Sequence, residues 1–267
     1  MKKYLSFFKM RLMAGLQYRA AALAGMSTQL VWGAMEVLLY RAFWLEAPER
    51  FPMGMQALAA YIWLQQAFLA FFALWNWEYE ILESVKTGSV AYELLRPVNV
   101  YSMWLARTAA NRLARGLLRL LPVLAVGCLI PAPYGLRLRV PLPVFGLFLL
   151  SSVLMLVVVC AYSLLVYALT FYLTDPGGIM FLSIAAADLL GGAIVPLPFL
   201  PSWLRGIAQL TPFASMQNVP LRIFSGDIPL GQIPAAMGLQ VLWIAVLGAA
   251  GYLLTKRGLG RAVILGG

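Results

Sequence analysis

Histidine is absent from this chain of 267 residues, cysteine occurs twice, and acidic side chains number only ten. Without histidine there is no Ser/His/Asp set and no HExxH helix. The commonest metal ligand and neutral-pH proton carrier is also missing. Cys128 and Cys160 both fall in apolar runs; they form neither a metal-ligand spacing nor a disulfide framework, and packing is their expected role. The acids are scattered except for Glu78, Glu80 and Glu83, so the clustered carboxylates that a metal-dependent membrane enzyme needs are not there. No GxxxxGKS/T loop occurs, so the chain carries no Walker A cradle for a nucleotide.

Charge of either sign is scarce, at 11% of residues against 62% hydrophobic. Several windows of 18 or more residues are almost uncharged, which is the pattern of membrane-crossing helices. The fold class is therefore an all-α polytopic membrane protein. Six spans are expected, near 20–45, 57–75, 113–130, 144–172, 177–195 and 234–255. The fourth reaches about 43 Å and must tilt or project. The net charge of +10 is not a nucleic-acid face, because the basic residues sit at the ends of spans. Counting Lys and Arg gives fourteen on the side of the termini and residues 77–112, against six on the other, including Arg137 and Arg139. Both termini are thus expected in the cytoplasm. Trp44, Trp63, Trp75, Trp77, Trp104 and Trp203 fall near the expected interfaces, as an aromatic belt would.

The first 19 residues are too interrupted by Lys9, Arg11 and Arg19 for a signal peptide. Leu5, Phe8, Leu12 and Leu16 recur at helical spacing, predicting an amphipathic helix on the inner leaflet, the alternative being a cytosolic extension of the first span. Residues 191–222 hold Pro196, Pro198, Pro201, Pro212 and Pro220 yet stay apolar. A span that breaks near Pro196, followed by one or two short helices re-entering the outer leaflet over 196–230, fits this better than a continuous helix; an ordinary external loop is the plainer reading.

Two acids lie within spans, Glu36 and Asp188. Glu36 either pairs with Arg41 or lies near the outer interface. Asp188, just before Gly191 and Gly192 and the break at Pro196, is either a gate or pathway contact facing a cavity, or a buried partner for a nearby Asn, Ser or Arg. Arg112, Arg115 and Arg119 share one helix face; they either snorkel to lipid phosphates or meet a cytoplasmic partner.

The cytoplasmic stretch TGSVAYELLRPVN is the most distinctive. Gly88 frees the backbone and Ser89 is placed to cap a helix. Val90, Leu94 and Leu95 offer an apolar side, while Tyr92, Glu93 and Arg96 offer polar contacts. Pro97 constrains Arg96 and ends the helix. Seven or eight residues make no stable helix alone in water, so this one needs a packing partner.

The run GSVAYELLRPVNVYSMW resembles the coupling-helix region of the permease subunits of ABC-2 type ABC transporters, the type V exporter architecture. LPSWLRGIAQLTPFASMQNVPLRIFSG is similar to that family's re-entrant helices. The tail RGLGRAVILGG loosely resembles the ending of one subgroup, with Ala262 where a second basic residue is common. The resemblance spans nearly the whole chain as one membrane domain, 1–267. It implies a multi-pass protein of the bacterial cytoplasmic membrane that exports a substrate but binds no ATP. ATP and Mg would be held by separate ABC ATP-binding subunits docked on Gly88–Pro97. A second permease chain, related or identical, would complete the pathway. The competing class is a self-sufficient secondary transporter, which calls for matched broken helices in both halves; only the second half shows a proline-broken segment.

Overall fold

The computed structural model describes residues 2–136 and 140–265, so Arg137 and Arg139 of the charge count, and Gly266 and Gly267 of the tail, lie outside the described residues. The chain is helical throughout, with no strand among the described residues. An amphipathic α1 (Lys2–Leu16) leads into the long α2 (Arg19–Glu46) and then α3 (Met55–Phe72). Two short helices come next, α4 (Tyr79–Lys86) and α5 (Ala91–Leu94), before the 30-residue α6 (Val100–Leu129). The remainder comprises α7 (Leu142–Leu169), α8 (Gly177–Leu190), α9 (Ser202–Leu210), α10 (Pro212–Ser225) and α11 (Ile233–Leu265).

Among the described residues four helices, against the expected six, are long and apolar enough to cross a bilayer: α2, α3, α7 and α11. Helix α6 has the length, but Arg107, Arg112, Arg115 and Arg119 interrupt it. Helix α8 is apolar but has 14 residues, a rise of about 21 Å against a hydrocarbon core of about 30 Å.

Helix α3 is apolar all round and sits in the middle, packed by α2, α6, α10 and α7. Its polar side chains each find a partner and tie its neighbours to it. Gln65 donates to the Ala193 carbonyl at 2.8 Å, Gln66 to Glu36 at 3.0 Å, and the Tyr61 hydroxyl accepts from Asn218 at 3.1 Å. Glu36 therefore pairs with Gln66, not Arg41, whose guanidinium lies over the Tyr134 ring at 4.8 Å. A second polar tie joins α7, α10 and α11, where Gln240 accepts from Ser151 at 2.9 Å and donates to the Ser215 carbonyl at 3.0 Å. Inside an apolar bundle such bonds fix register as much as they stabilise.

The tryptophans expected near the interfaces differ in exposure. Trp75 and Trp203 are exposed, but Trp63, Trp77 and Trp104 are core residues. Of the predicted face of α1, Phe8, Leu12 and Leu16 are half-buried and Leu5 is exposed. Tyr4, Phe8, Leu12 and Gly15 turn inward along the first half of α6, where a side chain at Gly15 would come within 2.6 Å of Ala114; Leu5 points out.

The proline-rich stretch forms two helices, α9 and α10, and α10 is largely buried against α7 and α3. The break before it falls at Gly191 and Gly192, not at Pro196. Gly192 has φ 83°, a left-handed conformation, and its backbone lies against Leu197. Pro196 instead opens the short 3-10 turn Leu197–Phe199.

Candidate functional site

Helix α4 forms because Ile81, Leu82 and Val85 recur on one face and are buried. Gly88, at φ 73°, closes it in the left-handed conformation that commonly ends a helix. Ser89 does not cap α5: its hydroxyl lies 3.0 Å from that of Thr87, and α5 has no side-chain cap. The expected two-turn helix is accordingly a single turn, ending at Leu94 before the constraint of Arg96-Pro97 is reached.

The residues of this turn sort into anchors and surface. Val90 is fully buried. Glu93 accepts from the indole N–H of Trp104 at 2.9 Å, and Trp104 in turn stacks on Phe171. Below them α1 holds the exit of the loop: Lys3 donates to the Pro97 carbonyl at 3.3 Å, and the Asn99 N–H donates to the Tyr4 hydroxyl at 2.9 Å. Tyr92, Leu94, Leu95, Arg96 and Pro97 remain exposed, Tyr92 at 73% and Leu95 at 81%. The predicted division between an apolar Val90–Leu94–Leu95 side and a polar Tyr92–Glu93–Arg96 side does not hold, because Val90 and Glu93 both face the body of the protein.

A charged cluster underlies this segment. Arg107, near the start of α6, contacts Glu78 at 3.6 Å and also Glu80, which Arg11 of α1 approaches at 3.8 Å. Asn111 donates to Glu78 at 2.7 Å, and the Glu78 N–H donates to the Tyr167 hydroxyl at 2.9 Å. A cleft of about 800 Å³ opens beside α4, floored by Met180 and bridged by Lys86 and Asp175 at 3.3 Å.

Arg112 is the residue that sequence reasoning misplaced. It does not snorkel: only 1% of it is exposed. Its guanidinium donates to the carbonyls of Phe71 (3.0 Å), Ala73 (2.9 Å) and Asn76 (3.4 Å) and to the Ser163 hydroxyl (3.1 Å). It thereby supplies the donors that the open carbonyls at the end of α3 lack. Arg115 and Arg119 stay nearer the surface.

The pathway candidates fall at the α8 break. Gly191 and Gly192 allow close approach to Phe213 and Asn218 of α10. Asp188 is half-buried, and its carbonyl accepts from the N–H groups of Ala193 and Ile194. Its carboxylate has no hydrogen-bond or ion-pair partner among the described residues, so neither an Asn, a Ser nor an Arg is paired with it there.

A family described as ABC-2 family transporter protein matches residues 30–266. The chain belongs to that family. ABC-2 membership covers everything from the middle of α2 to the end of α11, so only α1 and the start of α2 lie beyond it. The protein is therefore a multi-pass membrane protein of an ABC-2 transporter. No curated protein and no solved structure matches the chain.

Proposed function

We propose that the chain is the permease subunit of an ATP-driven exporter, forming half of a translocation pathway and drawing energy from a separate ATP-binding subunit. The observation that carries this reading is the one-turn α5, anchored from within by Val90 and Glu93 while Tyr92, Leu94, Leu95 and Arg96 stand free. An ATPase groove receives this exposed ridge, and ATP and Mg belong to that partner. Helices α2, α3, α6, α7, α8 and α11 serve as six spans with both termini in the cytoplasm, and α9 and α10 re-enter from outside. Helix α8 is too short to cross by itself; the chain beyond Gly191 completes the fifth crossing. The exposed apolar side of α8, with Phe181 and Leu182, suits contact with lipid or a second permease chain, related or identical. Asp188, Gly191, Gly192 and Pro196 line the region where the pathway bends.

The test is co-purification with an ATP-binding subunit encoded beside this chain. Leu95→Asp with Arg96→Glu leaves the membrane domain folded and is expected to abolish both the complex and permease-stimulated ATP hydrolysis. Retention of both activities by that variant would mean that α5 is not the docking element.

A further inference from the structure

Where α1 turns into α2, a crevice of about 520 Å³ opens between that elbow and α6. Ala14, Tyr18 and Ala22 form one wall, and Arg11, Arg115 and Arg119 supply its charge. We propose that this crevice binds the phosphate-bearing headgroup of an anionic phospholipid from the inner leaflet.

Three observations carry this. The first is uncompensated charge. The crevice also holds Glu78 and Glu80, but both are engaged by Arg107, which lies outside it, and Arg11 reaches only Glu80, at 3.8 Å. Four guanidiniums thus face two carboxylates, an excess of two positive charges. Arg115 donates only to the Asn76 side chain, at 3.3 Å, and the Nε atoms of Arg11 and Arg119 are buried without a hydrogen-bond partner among the described residues. Guanidinium groups with free donors are the side chains best matched to a phosphate.

The second is preorganisation. A side chain at Gly25 would collide with the Arg119 guanidinium, so glycine there lets Arg119 lie flat on α2 at the crevice. The third is depth. The apolar run of α2 follows directly on Arg19 and includes Ala22, on the crevice wall, and Leu23 is 60% exposed just beyond it. A headgroup in the crevice leaves its acyl chains beside an apolar helix face, so the site lies at the boundary between polar and hydrocarbon layers. A soluble phosphate would use the arginines but not that face.

The experiment is native mass spectrometry of the full chain, purified with its partners, with phosphatidylglycerol or phosphatidylcholine added. Retained phosphatidylglycerol is expected on the native protein, reduced roughly tenfold or more in Arg115→Gln/Arg119→Gln. Arg115→Lys/Arg119→Lys retains most of it, and Ala14→Trp, which fills the crevice without removing charge, loses it. Arg205→Gln, a charge change elsewhere, has no effect. Equal retention by the Gln double variant, or equal retention of phosphatidylcholine, overturns the proposal. So does displacement of the lipid by millimolar inorganic phosphate, which would make free phosphate the ligand.

Discussion

Replacing Arg112 by methionine keeps much of its volume while removing every donor. The guanidinium makes four hydrogen bonds, three of them to backbone carbonyls at and after the end of α3 and one to Ser163 of α7. In the variant those oxygens stay buried without donors, because the site is closed to water at 1% exposure. A buried acceptor left without its donor costs about 1–3 kcal/mol, so several orphaned at once cost about 3 kcal/mol or more. For a chain of this size that is a fall in Tm of about 6 °C or more, at about 2–4 °C per kcal/mol. Arg112→Lys restores a charge but not the planar fork, and falls between the two. Ser163→Ala removes one bond of the four and costs about 1 kcal/mol. Thermal denaturation in detergent, followed by monodisperse size-exclusion signal, reads all three. A methionine variant melting within about 2 °C of the native protein would refute the capping role and restore the lipid-phosphate reading.

Trp104→Phe removes the indole donor to Glu93; amide hydrogen exchange over residues 88–98 is expected to rise about tenfold, and no rise would show that the bond does not hold α5. Gly192→Ala forces a Cβ to 2.6 Å from Leu197 at φ 83°, and is expected to lower Tm, whereas Gly206→Ala, on an exposed helix position with open space, is neutral or raises it; the reverse order would contradict the left-handed turn. The Gly177 N–H and then Lys86 hold the Asp175 carboxyl below its ordinary 3.8, so its contribution is complete above that value and is lost as pH falls through the lower folded-state value. Melting from pH 6 to pH 2.5 checks this: Asp175→Asn should flatten part of the acid-side decline, and an unchanged slope would exclude the pair.

The long apolar runs were legible because length and lack of charge are one-dimensional properties. Helices α2, α3 and α7 begin and end close to where hydropathy places them, and α11 begins there but runs on to Leu265. The amphipathic α1, the short helical turn before Pro97 and the pair of helices in the proline-rich stretch were also readable, since Gly and Pro act locally. What escaped was partnership. Trp63 and Trp104 read as interface residues until the Tyr134 carbonyl and Glu93 are seen receiving their N–H groups. Arg112 shares a helical stripe with Arg115 and Arg119, yet Arg112 caps the carbonyls of Phe71 and Ala73 while Arg115 reaches only the Asn76 side chain, a difference of direction that spacing cannot carry. Ser89 has the chemistry of a cap, but Gly88 had already turned the chain, and the hydroxyl meets Thr87.

A helix of one turn has almost no stiffness of its own. Bolted through Glu93 to Trp104, which lies nearly parallel to the Phe171 ring at 15°, α5 behaves instead as a tooth on α6 and the end of α7. A torque applied at Tyr92 or Leu95 is not absorbed in a slack loop but passes to two long helices at once. The reach of such a push is then set by the 30-residue length of α6.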